Sequence, residues 1–285
     1  MPALLITVIT GLGLLESIFI KQYNKRHDKG GFIFTALVSL FSMLVFLFTD
    51  TGGFNFLPTL WIYGIISGVM YCSASVLTFV ALGCGSFAMS MLILSYGMVF
   101  SIGYGLFFLG EEANALTYIG LILILLSLYL TRAKSEEGEK KRITLKWVIC
   151  IGLSVIGSGM FGVLCRMQQI VFDNKCTNEF MIITLGFSAL VLFVIGLIKD
   201  GKDLGYILKH GGIPASLAGC ANGANNLLGL ALNLMMPISI NAPIKAGVKV
   251  IASFAISIFM FKERFEIRQI VGVAFGAVAL VLLNL

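Results

Sequence analysis

Charge is what this sequence has least of. Asp, Glu, Lys and Arg make up 12% of its 285 residues, against 58% hydrophobic residues and a mean hydropathy of +0.99, a balance that excludes an ordinary soluble domain. Histidine is scarcer still: the two present, His27 and His210, fall in charged loops, where a solvated surface position is expected and no metal or acid–base cluster can form around them. The six cysteines, Cys72, Cys84, Cys150, Cys165, Cys176 and Cys220, show no C-x-x-C spacing and have no histidine beside them, which leaves them as small core hydrophobes. No G-x-x-x-x-G-K-[ST] stretch occurs, so no ATP site is expected. The longest hydrophilic piece, Arg132 to Lys146, is too short to be a domain. No cofactor, metal or catalytic residue is expected, and any function must lie among membrane-embedded segments.

What the chain does have is apolar length. With about 20 apolar residues needed to cross a hydrocarbon layer roughly 30 Å thick, ten spans are read, near 2–20, 32–49, 61–82, 86–109, 116–131, 147–171, 180–198, 213–235, 238–261 and 268–285. The runs are too long and too continuous for barrel strands, so the expected fold class is an all-α membrane protein. The first run has no basic residues before it and carries Glu16, which makes it a span rather than a secretory signal. Lysine and arginine crowd the loops after odd-numbered spans, with Lys175 alone on the opposite side. The positive-inside rule then places both termini outside, in an integral multi-pass protein expected in a prokaryotic plasma membrane. Trp61 and Trp147 open spans, as interfacial anchors do. The net charge of +6 sits mostly in these loops and suits contact with an anionic lipid bilayer, not nucleic acid.

Set against itself at an offset of 152 residues, the chain repeats: "FFLGEEANALTYIG" (107–120) lies over "FMFKERFEIRQIVG" (259–272), pairing Phe107 with Phe259, Glu111 with Glu263 and Gly120 with Gly272. Five spans per copy is an odd number, so the copies must cross the membrane in opposite senses. The chain divides into a first five-helix repeat (1–131), a charged linker (132–146) and a second five-helix repeat (147–285).

Ten spans, two five-helix halves and the twice-used pattern of apolar helix, Glu and glycine-bearing helix resemble the EamA-type members of the drug/metabolite transporter superfamily. The resemblance covers essentially the whole chain. It implies a ten-helix inverted-repeat carrier whose central cavity is lined by the first, third, fourth, sixth, eighth and ninth helices, with the fifth and tenth at the periphery. Relatives are generally drawn with both termini in the cytoplasm, so the loop charges here depart from the family pattern and leave the direction of transport open.

Charged groups inside spans are costly, about 2.5–3.5 kcal/mol each at the bilayer centre on insertion scales, and each is therefore a candidate for function. They are Glu16, Arg166, Lys245 and Lys249. Asn241, Lys245 and Lys249 recur every four residues on one helical face, with about 6 Å of rise between turns. Lys249 is nearest mid-span and is the stronger candidate for a solute contact, whereas Lys245 is close enough to the start of its span to snorkel. By resemblance, Lys249 matches the ninth-helix lysine that contacts the anionic group in phosphate-sugar and nucleotide-sugar relatives, although Val250 stands where some of these have arginine. On the eighth span Asn222, Asn225 or Asn226, Gly229 and Asn233 form a second polar face, for solute amide contacts or for interhelical glue. Glu16 either pairs with Lys21 or faces the cavity as a charge partner or proton carrier; Arg166 either binds an anion or reaches for headgroups. The corresponding first-half positions are apolar, and Met70, Tyr71, Met89, Met91 and Tyr96 are there either as a soft cavity wall or as ordinary packing. Pro237 and Pro243 mark the ninth span as irregular near its start.

The expected function is secondary active transport, by alternating access, of a small polar solute with an anionic group, the candidate site being Lys249, Lys245, Asn241, Asn222, Asn226 and Arg166, with Glu16 as charge partner. The alternative is a membrane-embedded enzyme or flippase for lipid-linked phosphates. The partners expected are a small-molecule solute and the bilayer; the sequence leaves the oligomeric state open.

Overall fold

The computed structural model describes residues 2–27, 30–49, 55–84, 87–111, 115–131, 145–261 and 266–283. Most of the linker, and Glu263 of the repeated turn, lie outside them. The described chain is helical, without a strand: α1 (Pro2–Arg26), α2 (Gly31–Thr49), α3 (Pro58–Cys84), α4 (Phe87–Ser95), α5 (Met98–Phe108), α6 (Ala115–Thr131), α7 (Leu145–Val171), α8 (Thr177–Asp200), α9 (Leu204–Met235), α10 (Ile238–Ile256) and α11 (Ile267–Leu283). A helix is the form that closes every backbone hydrogen bond within an apolar segment, which is why these runs adopt it. Among the described residues seven helices are long and apolar enough to cross a membrane, and the chain is an all-α, multi-pass membrane protein. The helices at the fifth and tenth expected spans, α6 and α11, are 17 residues each. The eighth is α9, 32 residues long but made polar by its four asparagines.

Two expected spans depart from regular helix. The fourth divides at Tyr96–Gly97 into α4 and α5, where the ladder tightens to three-residue steps, Tyr96 N–H to Ile93 O (3.0 Å) and Gly97 N–H to Leu94 O (3.2 Å). The break is a close approach to α7: a Cβ on Gly97 would stand 3.2 Å from Ser158 Oγ and 3.4 Å from Val155 O. The ninth widens after α10 into a π turn, Ser257–Phe261. Trp147 is also not the interfacial anchor expected. It is buried with Ala81 and Ile151, whereas Trp61 is half exposed at the start of α3. The reading of the cysteines as core residues holds for Cys165 and Cys176, while Cys84 and Cys220 are exposed.

Packing follows small residues. Gly219 and Gly223 of α9 meet Val38, Phe41, Ser42 and Val45 of α2, and Gly64 and Gly68 of α3 meet Ile183, Thr184 and Phe187 of α8. Hydroxyls lock these approaches: Ser42 Oγ donates to Gly219 O (2.8 Å), Ser154 Oγ to Ala74 O (3.0 Å) and Ser127 Oγ to Gly272 O (2.6 Å). The pairs trade places when the halves are exchanged. α1 packs on α9 as α7 packs on α3, and α2 packs on α9 as α8 packs on α3. α6 and α11 pair with each other, and their ends lie at the offset seen in the sequence.

One end of the bundle is closed by an apolar plug. Leu14, Ile20, Tyr23, Phe34, Phe79, Leu82, Phe87, Met91 and Ala218 form a continuous buried cluster, with Tyr23 stacked on Phe34 at 4.3 Å between ring centroids. It stands at the end where Lys25 and Arg26 finish α1. Just outside it the two histidines meet, His27 Nδ1 lying 2.8 Å from Tyr206 Oη and the His27 and His210 rings 5.6 Å apart, where the sequence reading had them as separate solvated side chains.

Candidate functional site

Between the plug and the opposite end lies a cavity of about 290 Å³, walled by α1, the α4–α5 break, α7, α9 and α10. The resemblance implied a contribution from α3, but α3 supplies no lining residue. A Cβ on Gly157 of α7 would stand 3.0 Å from Met70 O of α3, and Phe161, which does line the cavity, covers the Tyr71 ring at 5.1 Å. α7 thus comes between α3 and the cavity. Nor is the soft wall the one considered from sequence: Tyr71 and Met91 are buried behind it, and Leu94, Met98, Phe161 and Leu230 form the apolar surface.

The polar wall comes mainly from the second half. Asn241, Lys245 and Lys249 line the cavity as their four-residue spacing predicted, since i and i+4 share a helical face. Lys245 therefore faces the cavity instead of snorkelling. Asn225, Asn226 and Asn233 of α9 stand opposite, with Thr10, Ser95, Ser101 and Ser158 around them. Asn241 Nδ2 donates to Asn233 Oδ1 (3.0 Å), while Asn241 Oδ1 and Thr10 Oγ1 are buried without a hydrogen-bond partner. No carboxylate or imidazole lines the cavity among the described residues.

Three of the expected site residues stand outside this lining. Asn222 is the hub of a buried network: its Oδ1 accepts from Tyr71 Oη (2.7 Å) and Asn226 Nδ2 (2.9 Å) and lies 3.0 Å from Ser42 Oγ, whose one proton is shared with Gly219 O and Val38 O, tying α2, α3 and α9 together. Glu16 is not among the lining residues, and Lys21, the partner considered for it, has its Nζ 5.6 Å from the Phe87 ring centroid. The groups that act on the Glu16 carboxyl electrostatically are the Asn222 side chain and Lys249. Arg166 donates from Nη1 to the backbone oxygen of Asn233 (2.8 Å), a free carbonyl at the end of α9. It supports the wall through α9 and is not itself a lining residue.

One functional contact had no signal in spacing. The Glu111 carboxylate accepts from the backbone N–H groups of Ile238 and Ser239, both at 2.9 Å, and so caps the first turn of α10 from the end of α5. Pro237 precedes the helix with an extended ψ of 139°, which turns those two N–H groups outward. The repeated sequence pattern marked Glu111 as notable but not as a cap for a helix more than a hundred residues away. Glu111→Ala is expected to cost about 0.5–2 kcal/mol, the usual loss of an N-cap. Glu111→Gln retains part of it, as thermal unfolding in detergent would show.

The described helices of this membrane protein surround a cavity lined by two lysines, four asparagines and several hydroxyls. No family model and no curated protein matches the chain. Solved structures do, in 28 chains. One of them, described only as "Crystal structure of protein", has a TM-score of 0.65 and 13% identity over 99% of this chain and 98% of that one. At that identity the likeness shows a shared fold.

Proposed function

We propose that this chain is a secondary carrier of the EamA type within the drug/metabolite transporter superfamily, moving a small polar solute with an anionic group by alternating access. The observation that carries the reading is the cavity wall: two lysines one turn apart, four asparagine amides and no carboxylate, held inside a bundle of apolar helices. Its volume lies near the lower end of the roughly 300–1,000 Å³ typical of ligand pockets, which suits a small metabolite. The architecture proposed is ten spans in two inverted five-helix repeats. Support comes from the common sequence offset, the equal lengths of α6 and α11, and helix contacts that map onto one another when the halves are exchanged. Among the described residues the wall has no carboxylate or imidazole, the groups that most often ligate a metal for chemistry on a lipid-linked phosphate.

With the basic loops in the cytoplasm, the cluster around Tyr23, Phe34 and Phe79 lies at the cytoplasmic end, a second apolar cluster around Ile6, Ile9, Leu232 and Ile244 lies toward the other, and the cavity is between them. Counterflow in proteoliposomes tests the reading. A panel of labelled small organic anions should exchange across vesicles holding the wild-type protein and fail to exchange with the Lys245→Ala/Lys249→Ala double variant, purified at wild-type yield. Turnover of a lipid-linked phosphate without solute movement would support the enzymatic alternative instead.

A further inference from the structure

A hydroxyl on a membrane helix usually returns to a carbonyl of the preceding turn, as Thr7 Oγ1 does to Ala3 O (2.9 Å) and Ser17 Oγ to Gly13 O (2.8 Å) on α1. Thr10, between them on the same helix, does not. Its Oγ1 is buried without a hydrogen-bond partner, on a residue that lines the cavity. On α10 the Asn241 side chain is fully buried and its amide is held one way round. Nδ2 is spent on Asn233 Oδ1 (3.0 Å), which leaves Oδ1 an acceptor with nothing to accept. Buried polar groups are nearly always paired, so each orphan calls for a reason. Other stranded side chains, such as those of Ser67, Ser90 and Gln168, stand away from the cavity, whereas these two are brought to one wall by two different helices.

We infer that Asn241 and Thr10 are specificity residues that recognise a hydroxyl group on the solute, borne beside its anionic group. This rests on the carrier reading and narrows its substrate class to hydroxylated anions. A hydroxyl serves both orphans, since it can donate its proton to the Asn241 oxygen and offers lone pairs to the Thr10 hydroxyl. An ether or keto oxygen has no proton for Asn241. An ammonium has protons, but it would sit beside Lys245 and Lys249 with no lining carboxylate among the described residues to receive it. The spacing suits the pairing of hydroxyl and anion: Asn241 and Lys245 share a face one helical turn apart, about 6 Å along α10, so a group drawn to the lysines has the amide oxygen a few bonds away.

Probes matched in charge test the hydroxyl alone. Lactate is bracketed in size by propionate, which lacks the oxygen, and 2-methoxypropionate, which keeps the oxygen and lacks the proton; alanine puts an ammonium in its place. Glycerol 3-phosphate and propyl phosphate repeat the comparison on a phosphate. Thermal-shift titration of the purified protein reads binding, and counterflow in proteoliposomes reads transport. Lactate or glycerol 3-phosphate is expected to bind about tenfold or more tightly than its partners, since a site built to bond a hydroxyl rejects an analogue that leaves its buried groups unpaired. Asn241→Leu should remove that preference and leave binding of the hydroxyl-free probes unchanged. Thr10→Val, which keeps the side chain's shape, should narrow the preference without abolishing it, and it carries the test if Asn241→Leu does not fold. Equal wild-type binding within both sets, tighter binding of alanine than of lactate, or an undiminished preference in a folded variant would overturn the inference. So would the absence of binding by every probe. A hydroxyl preference in binding without counterflow would instead overturn the carrier reading and leave the roles of Asn241 and Thr10 standing.

Discussion

Leucine at Gly219 is expected to cost this protein its folded state. A Cβ there would lie 2.6 Å from both Val38 O and Phe41 Cβ of α2, and one turn on, at Gly223, 2.8 Å from Ser42 O. Backbone oxygens cannot rotate aside as side chains do, so α2 and α9 must part along their whole contact. Overpacking of this kind costs about 1–3 kcal/mol where neighbours can yield, and more where they are main chain. Separation also removes the bond from Ser42 Oγ to Gly219 O, worth about 0.5–1.5 kcal/mol, and shifts Asn222 away from Tyr71. The expected result is aggregation or a sharply lowered melting temperature, read by size-exclusion chromatography and thermal unfolding in detergent. Gly205 and Gly212 of the same helix have no atom within 4 Å of a Cβ, and leucine at either should be tolerated. Equal behaviour at all three positions would mean that the close approach of α2 and α9 contributes nothing.

The second large effect is expected at Asn222, where replacement by leucine keeps the volume and removes the chemistry. Ser42 would suffer little, because its hydroxyl also reaches Val38 O and Gly219 O. Tyr71 Oη and Asn226 Nδ2 would each lose the oxygen to which they donate, and Glu16 would lose its amide neighbour. A buried group stranded in this way costs about 1–3 kcal/mol, so the melting temperature should fall well below that of wild type. Adding Tyr71→Phe should restore part of the loss, since it removes one of the stranded groups. A double variant no more stable than Asn222→Leu would show that the Tyr71 hydroxyl and Asn222 are not coupled.

The helices were legible because their information is local. Apolar length marked the membrane segments, and the four-residue spacing of Asn241, Lys245 and Lys249 put them on one face, which turned out to be the face of the cavity. The roles of Asn222 and Asn226 were not legible, although they too share a face. Which one meets the cavity depends on Ser42 and Tyr71, supplied by α2 and α3 from far along the chain. The same holds for Arg166, whose partner is a backbone oxygen and leaves no mark in a pattern of side chains. Ser95, Ser101 and Ser158 escaped notice because a serine in an apolar helix can bond the preceding turn, as Ser95 does to Met91 O at 2.8 Å. The break at Gly97 was hidden for a related reason: glycine in an apolar run permits a break without requiring one, and the close approach of α7 decides.

Gly97 and Lys249 stand 152 residues apart, the offset of the proposed repeat, and both line the cavity. A two-fold cavity would present the same groups to either end of a solute, but here one half offers a bare, broken backbone and the other a row of ammonium and amide groups. The cavity therefore has a polarity of its own, across the bundle rather than along it. Its lysines, its unmatched amide oxygen and its broken helix are three chemically different contacts, and three such contacts are what a surface needs to tell a molecule from its mirror image.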